Sequence, residues 1–356
     1  MEYTLKADPT GSADCSAEIL RFFAQVPDGT PAEPTVAVIP PGRYRCEQTV
    51  ELVGRHDLEV DGDGATLFVT GLETGTPRDR EPFHLSRANV RLRSCERVEI
   101  HGLTVEGANP EGRYRPDYEG QHGFSILDGL LIYLQGCTSR NVAGDGVYLG
   151  RNTASGPLVC SVRGHHVDTT GRQGVAICSG AFLGVTESII TGVARTAFDL
   201  EPNHADDRVA FVQLTHNLVG THHLNFLSSV SSRPATWVTV TGNCVQGDRL
   251  QMMVRGKNGA ERSHWTIARN FSDKRYGSPD GAAFRFEQVA DLTVTGNHQP
   301  LDPKRSMVLV DAIDCPDLSV ADNTLPGLRL PLPGGTGQAR LRHREPGAPP
   351  VVTGWL

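Results

Sequence analysis

The seven residues VTGNCVQ (240–246) decide the fold once they are set beside four others: QLTHNLV (213–219), IARNFSD (267–273), VTGNHQP (294–300) and VADNTLP (320–326). Each is a strand-like run, then Asn, then a second short run. The asparagines are Asn217, Asn243, Asn270, Asn297 and Asn323, so the separations are 26, 27, 27 and 26 residues. Turn asparagines of unrelated hairpins have no reason to be evenly spaced. A near-constant period marks a repeat array. With three short β runs per period, it suits a coil stacked on itself, each strand parallel to its counterpart one turn on. An Asn at each bend can then hydrogen-bond the Asn above and below. Earlier in the chain the same slot falls at Ser188, His165, Arg140 and Leu103, which gives about nine coils.

A second register agrees with the first. Aligning GDGVYLG, RQGVAIC, RTAFDLE, THHLNFL and DRLQMMV puts Val147, Val175, Phe198, Leu224 and Leu250 in one column. Leu149, Ile177, Leu200, Phe226 and Met252 form another. Both are wholly apolar, so both are expected inside the coil as a continuous core. Alternate strand residues point to opposite faces. The column between them, Tyr148, Ala176, Asp199, Asn225 and Gln251, is therefore expected to face solvent. The strands AFRFE (283–287) and MVLVD (307–311) continue the set.

The N-terminal segments ADCSAEILRFF (13–23), VAVIPPGRYRCEQTVEL (36–52) and LEVDGDGATLF (58–68) complete the pattern. With them the chain, from about residue 10 to 327, resembles the right-handed parallel β-helix proteins of the pectate lyase-like superfamily. The resemblance implies an all-β solenoid with a helix at about 17–25 capping its first coil. That helix is apolar at Ile19, Leu20, Phe22 and Phe23, with Asp14 or Ser16 as its N-cap. Cys15 stands where the superfamily usually has a second acid. Residues 1–327 read as one β-helix domain, with an inserted loop at 107–130. Residues 328–356, rich in Pro and Gly, read as a strap or tail.

Composition narrows the function classes. The chain has 356 residues, 39 of them Gly, and a formal charge of −7, which argues against nucleic acid as a partner. No apolar run is long enough to cross a bilayer, so no membrane partner is expected. The start, MEYTLKADPTGSADCS, lacks a basic segment followed by an apolar run, and a cytoplasmic location is expected. The eight cysteines form no CxxC pair and read as reduced, buried thiols.

The chemistry is expected at RTAFDLEPNH (195–204). In a strand, Asp199 and Glu201 share a face, with Cα atoms about 6.5–7 Å apart. Like charges so close need a use or a neutralising partner. Coils stack about 4.8 Å apart. Asp145, Arg172, Gln173 and Arg195 from adjacent corners then fall near them, and Tyr148, Asn225, His204 and His223 lie around. The superfamily commonly binds sugar chains along one sheet, under flanking loops. By that resemblance the 107–130 loop, with Tyr114, Tyr118 and His122, is expected over the acids, its aromatics either stacking on sugar rings or anchoring the loop. Asp199, Glu201 and Asp145 are the candidate catalytic acids, because paired carboxylates can divide protonation of a leaving oxygen from activation of water. The arginines can hold a carboxylate or hydroxyls. An oxygen-only cluster suits calcium, but no EF-hand spacing is present, and no metal or cofactor is expected.

The expected function is action on a glycosidic bond of a sugar or uronate-containing substrate, hydrolysis ahead of β-elimination. Two other classes stay open: an intracellular epimerase- or dehydratase-type enzyme on a small metabolite, and a non-catalytic glycan-binding solenoid. The chain has no ordered NTDG…DD…GHG…RIK series as in polygalacturonases and no WIDH motif as in standard pectate lyases. Fold does not fix function.

Overall fold

The computed structural model describes residues 1–73, 87–151, 158–274, 282–300, 307–323, 339–344 and 351–355. It is a parallel β-solenoid of about nine coils. The strands lie on three faces, the third of which ends at Phe271–Ser272. The first face carries Val147–Gly150, Val175–Ile177, Phe198–Leu200 and their successors. The second carries Leu158–Arg163, Gly180–Thr186, Val209–Thr215, Ala235–Thr241 and onward. These two join in one 22-stranded sheet, because the long strands Val90–His101 and Phe124–Gln135 run unbroken across the corner between them. The third face is a separate nine-stranded sheet.

The asparagine bend lies between the second and third faces. Asn217, Asn243, Asn270, Asn297 and Asn323 are all buried. Each Nδ2 of the first four donates to Oδ1 of the next Asn at 2.8–2.9 Å. Each Nδ2 also donates to a backbone carbonyl, and each Oδ1 from Asn243 onward also takes a backbone N–H. No polar valence at the bend is wasted. Ser188, His165 and Leu103 occupy the slot in earlier coils, but Arg140 does not. Cys137 does: its carbonyl accepts the His166 N–H as the Ser188 carbonyl accepts that of Leu218. Arg140 lies three residues on, in the third face, where its guanidinium reaches Glu106 at 2.8 Å. A charge is tolerated there and would be costly at the buried bend.

The inward columns hold for three coils and then shift. Val147, Val175 and Phe198 pair in register, as do Leu149, Ile177 and Leu200, and all six are buried. Phe198 next pairs with Leu227 rather than Leu224, and Leu227 with Met252. The corner 221–226 is longer than its neighbour, with the Ala197 and Phe198 amides donating to the Asn225 and Phe226 carbonyls. Leu224 is left exposed on that corner, while Phe226 turns inward and meets Phe198 edge-on at 5.5 Å. The outward column therefore reads Tyr148, Ala176, Asp199, Ser228 and Met253. Asn225 and Gln251 are not in it. Nor does this column face open solvent: Tyr148, Ala176 and Asp199 are all buried.

The second face bends at one residue in most coils, the strand Leu158–Arg163 excepted. Leu131, Phe182, Phe211, Trp237, His264 and Asp291 each have φ between 49° and 57° and are skipped in the strand pairing. Helix α1 spans Ser16–Gln25 and buries Ile19 and Phe23. Its N-cap is Cys15, not Asp14 or Ser16. Asp14 sits one residue earlier and accepts the Ser16 N–H at 3.0 Å. Within 328–356, Ala339–Arg344 pairs parallel with Met307–Ile313, and Val351–Trp355 pairs antiparallel with it.

Candidate functional site

The RTAFDLE coil meets the coil before it in a compact polar cluster on the outer side of the first face. Stacking in register brings the GDG corner (144–146) against the RQG corner (172–174), and Ala176 against Asp199. Arg172 is the hub. Its guanidinium donates to Asp145 Oδ2 at 2.8 Å and to Glu201 Oε2 at 3.0 Å, and its Nε lies 3.7 Å from Glu119 Oε2. Gln173 is the second link. Its backbone N–H donates to Asp145 Oδ1 at 2.9 Å and its Nε2 to Asp199 Oδ2 at 2.6 Å. Its Oε1 accepts the Thr196 N–H at 2.8 Å, which fixes the amide with the NH₂ toward Asp199. The Ser228 hydroxyl is a further partner of Asp199.

The three acids are placed unequally. The Asp145 side chain is fully buried; burial alone would favour its neutral form, but the Arg172 charge holds it below the usual carboxylate range. Burial likewise opposes the charge on Arg172, and Asp145 and Glu201 more than compensate and hold it protonated. Asp199 is 7% exposed. Burial, with the nearby Glu201 charge, lifts its pKa from 3.8 to about 7, although Arg172 pulls the other way. Glu201 is the accessible member, with its side chain 29% exposed.

Residues 107–123 of the expected 107–130 loop pack against this cluster, while 124–130 are the start of the strand Phe124–Gln135 instead. Glu119 is buried and takes the Tyr114 hydroxyl, and the Tyr114 ring lies under the Arg195 guanidinium at 4.7 Å. Arg195 is thus directed to the loop tyrosine, not to the acids. His122 is fully buried and stacks on Tyr148 at 4.6 Å. Burial depresses its pKa, so the ring is neutral. Its Nδ1 faces two atoms of Asp145, the backbone amide nitrogen at 3.1 Å and the carboxylate Oδ2 at 3.2 Å. Tyr148 joins Leu127, Ala176 and Cys178 in a small apolar cluster separate from the main core. His122 and Tyr148 therefore support the site from below, and Tyr114 anchors the loop. Tyr118 is half-buried in the short turn Pro116–Tyr118. His204 and His223 are exposed, and Asn225 is half-buried on the long corner. Among the described residues, none of these last three hydrogen-bonds to the acids.

Three members of the cluster were not anticipated. Cys178 aligns with Glu201, and that alignment was present in VAICS against FDLEP. Ser228 is visible only once the long 221–226 corner is allowed for. Glu119 lies in a loop, where spacing gives no register. Among the described residues no group of three or more His, Cys, Asp or Glu is arranged to hold a metal ion.

No protein-family model matches the chain, and no curated protein matches it either. Solved structures do. A surface protein and adhesin of Streptococcus pneumoniae, PfbA, covers 97% of this chain and 100% of its own at 11% identity and a TM-score of 0.62. A family 28 exopolygalacturonase of Yersinia enterocolitica covers 97% and 77% at 10% identity and a TM-score of 0.60. A polygalacturonase of Erwinia carotovora covers 90% and 93% at 12% identity and a TM-score of 0.60. At such identities the likeness is one of fold alone. The chain is similar to all three as a parallel β-helix protein.

Proposed function

We propose that this solenoid acts on a glycosidic bond through Asp199 and Glu201. The observation that carries the reading is the inequality of that pair. Asp199 is buried and holds its proton to about pH 7, while Glu201 is reachable and paired to Arg172. A buried acid beside an accessible carboxyl held by an arginine is what a glycosidase needs: one group for the leaving oxygen, one for water or the anomeric carbon. Asp199 gives its proton to the departing glycosidic oxygen, and Glu201 takes one from the attacking water. Asp145, Arg172 and Gln173 position the pair. The solved glycoside hydrolases of this fold support the class of reaction, not the substrate. The same reading includes right-handed winding and helix α1 as the cover of the open end.

The burial of Asp199 also favours a second reading, an enzyme of epimerase or dehydratase type on a small metabolite, since an open groove for a polymer does not require a hidden acid. Both are tested by turnover on neutral oligosaccharides, oligogalacturonides and small sugar acids, following reducing ends and the ultraviolet absorbance of unsaturated uronates. Asp199→Asn and Glu201→Gln should each cost about 100-fold or more in turnover with the fold retained. Activity should fall as pH rises through about 7, where Asp199 loses its proton. Activity untouched by both changes would overturn the assignment, and no turnover on any substrate would favour a binding solenoid.

A further inference from the structure

A second feature lies on the other outward side. The bend column of the second face holds Asp57, Arg97 and Leu131 before the rings and Asp291 and Asp317 after them, all at positive φ. Asp tolerates that conformation, whereas bulky side chains rarely adopt it. Yet in the middle of the column stand Phe182, Phe211, Trp237 and His264, with φ of 57°, 52°, 57° and 57°. Each such residue carries backbone strain. The solenoid core does not require them, because these rings point away from it. Phe182 is 63% exposed, Trp237 50% and Phe211 43%.

The four rings form a continuous stack along the solenoid axis. Centroids are 4.8, 5.8 and 3.8 Å apart, with planes within 4–20° of parallel. The wider separations mean lateral offset, so Phe182, Phe211 and Trp237 leave part of a face as well as an edge uncovered. Two residues on from these bends, the same strands bring Tyr133, Gly184, Gln213, Thr239, Thr266 and Thr293 to the groove, joined by Ser161 from the coil between. Wall and floor together line a groove of about 620 Å³. From Leu131 to Asp291 it crosses six coil steps, or about 29 Å.

We propose that this groove binds a neutral polysaccharide lying along the solenoid axis, at a site separate from the carboxylate cluster. A sugar chain presents C–H patches and hydroxyls by turns. The aromatic wall takes the first, and the hydroxyl and amide floor takes the second. Charge selects the class. The lining holds no Lys or Arg, and its charged members are His264 and Asp291, bonded to each other at 2.5 Å. A uronate, sulfated glycan or nucleic acid would find no counter-charge there, and a neutral chain needs none.

The test is affinity electrophoresis of the full chain in gels containing xyloglucan, mixed-linkage β-glucan or galactomannan, with polygalacturonate as the acidic control. Retardation is expected in at least one neutral gel and not in polygalacturonate. Phe211→Asn combined with Trp237→Asn should raise Kd by about tenfold or more. Asn suits the bend, so melting by circular dichroism should be unchanged; Phe182→Asn, at the most exposed ring, is the milder second variant. Asp199→Asn with Glu201→Gln should bind as the wild type does, which separates this site from the proposed catalytic one. Three results would overturn the proposal: no retardation in any neutral gel, retardation kept by the folded double ring variant, or a wild-type oligomer that this variant turns to monomer.

Discussion

At the bend of Asn217 to Asn323, each coil repeats the hydrogen bonds of the one before: an amide to the next amide, an amide to a carbonyl. At the corner of Asp145, Arg172, Gln173 and Asp199, no two coils use the same bond. Both sites are buried polar columns in one solenoid. The first is neutral and self-sufficient, since every Asn is donor and acceptor at once. The second balances four acids, Glu119, Asp145, Asp199 and Glu201, on one guanidinium and one amide, and the balance is uneven. Asp145 keeps its charge and Asp199 is left holding a proton to about pH 7. A repeat that only has to stack can be uniform. Inequality enters where charges of one sign outnumber their partners, and that is where the proposed chemistry lies.

That contrast can be broken most forcibly at Arg172. Arg172→Met strands the buried Asp145 carboxylate and should cost about 3–5 kcal/mol in chemical denaturation at neutral pH, less in acid. Asp199→Asn should act in the opposite sense. The fold raises the pKa of Asp199 from 3.8 to about 7, so it favours the protonated form. Its contribution to stability is complete below the unfolded value and is lost as pH rises through the folded one. Relative to the wild type, the variant should therefore gain about 2 kcal/mol between pH 5 and pH 8. A difference between the two proteins that does not change with pH would mean that Asp199 is ionised throughout. The smallest effect belongs to the neutral column. Asn270→Ser should cost about 1 kcal/mol, with no pH dependence, because Ser188 already fills that slot in an earlier coil.

The fold was legible because its period is written in the residue type that the bend demands. Five asparagines carried the register with no help from packing. Where other residues fill the slot the reading failed, at Arg140 in place of Cys137, since Cys gives no polar signal and spacing was less regular. The carboxylate cluster was legible in part. Asp145, Arg172, Gln173, Asp199 and Glu201 come from consecutive corners of equal length, so period placed them. Asn225, His223 and Leu224 were misplaced because one corner is longer, and corner length leaves no trace in hydrophobic alternation. That Asp199 would be covered rather than exposed was out of reach. It depends on what packs over a face, and a loop such as 107–123 has no periodicity to say so. The stack of rings on the second face was not anticipated for a related reason. Its members lie at skipped positions, outside the alternation from which strands are read.

The asparagine column has a direction. From Asn217 to Asn297 the NH₂ group points toward the C-terminal coils and the carbonyl toward the N-terminal ones. Four amide dipoles thus lie head to tail, and each polarises the next. The solenoid is thereby given electrical polarity along its length, as a helix is by its backbone. The column reads differently from its two ends.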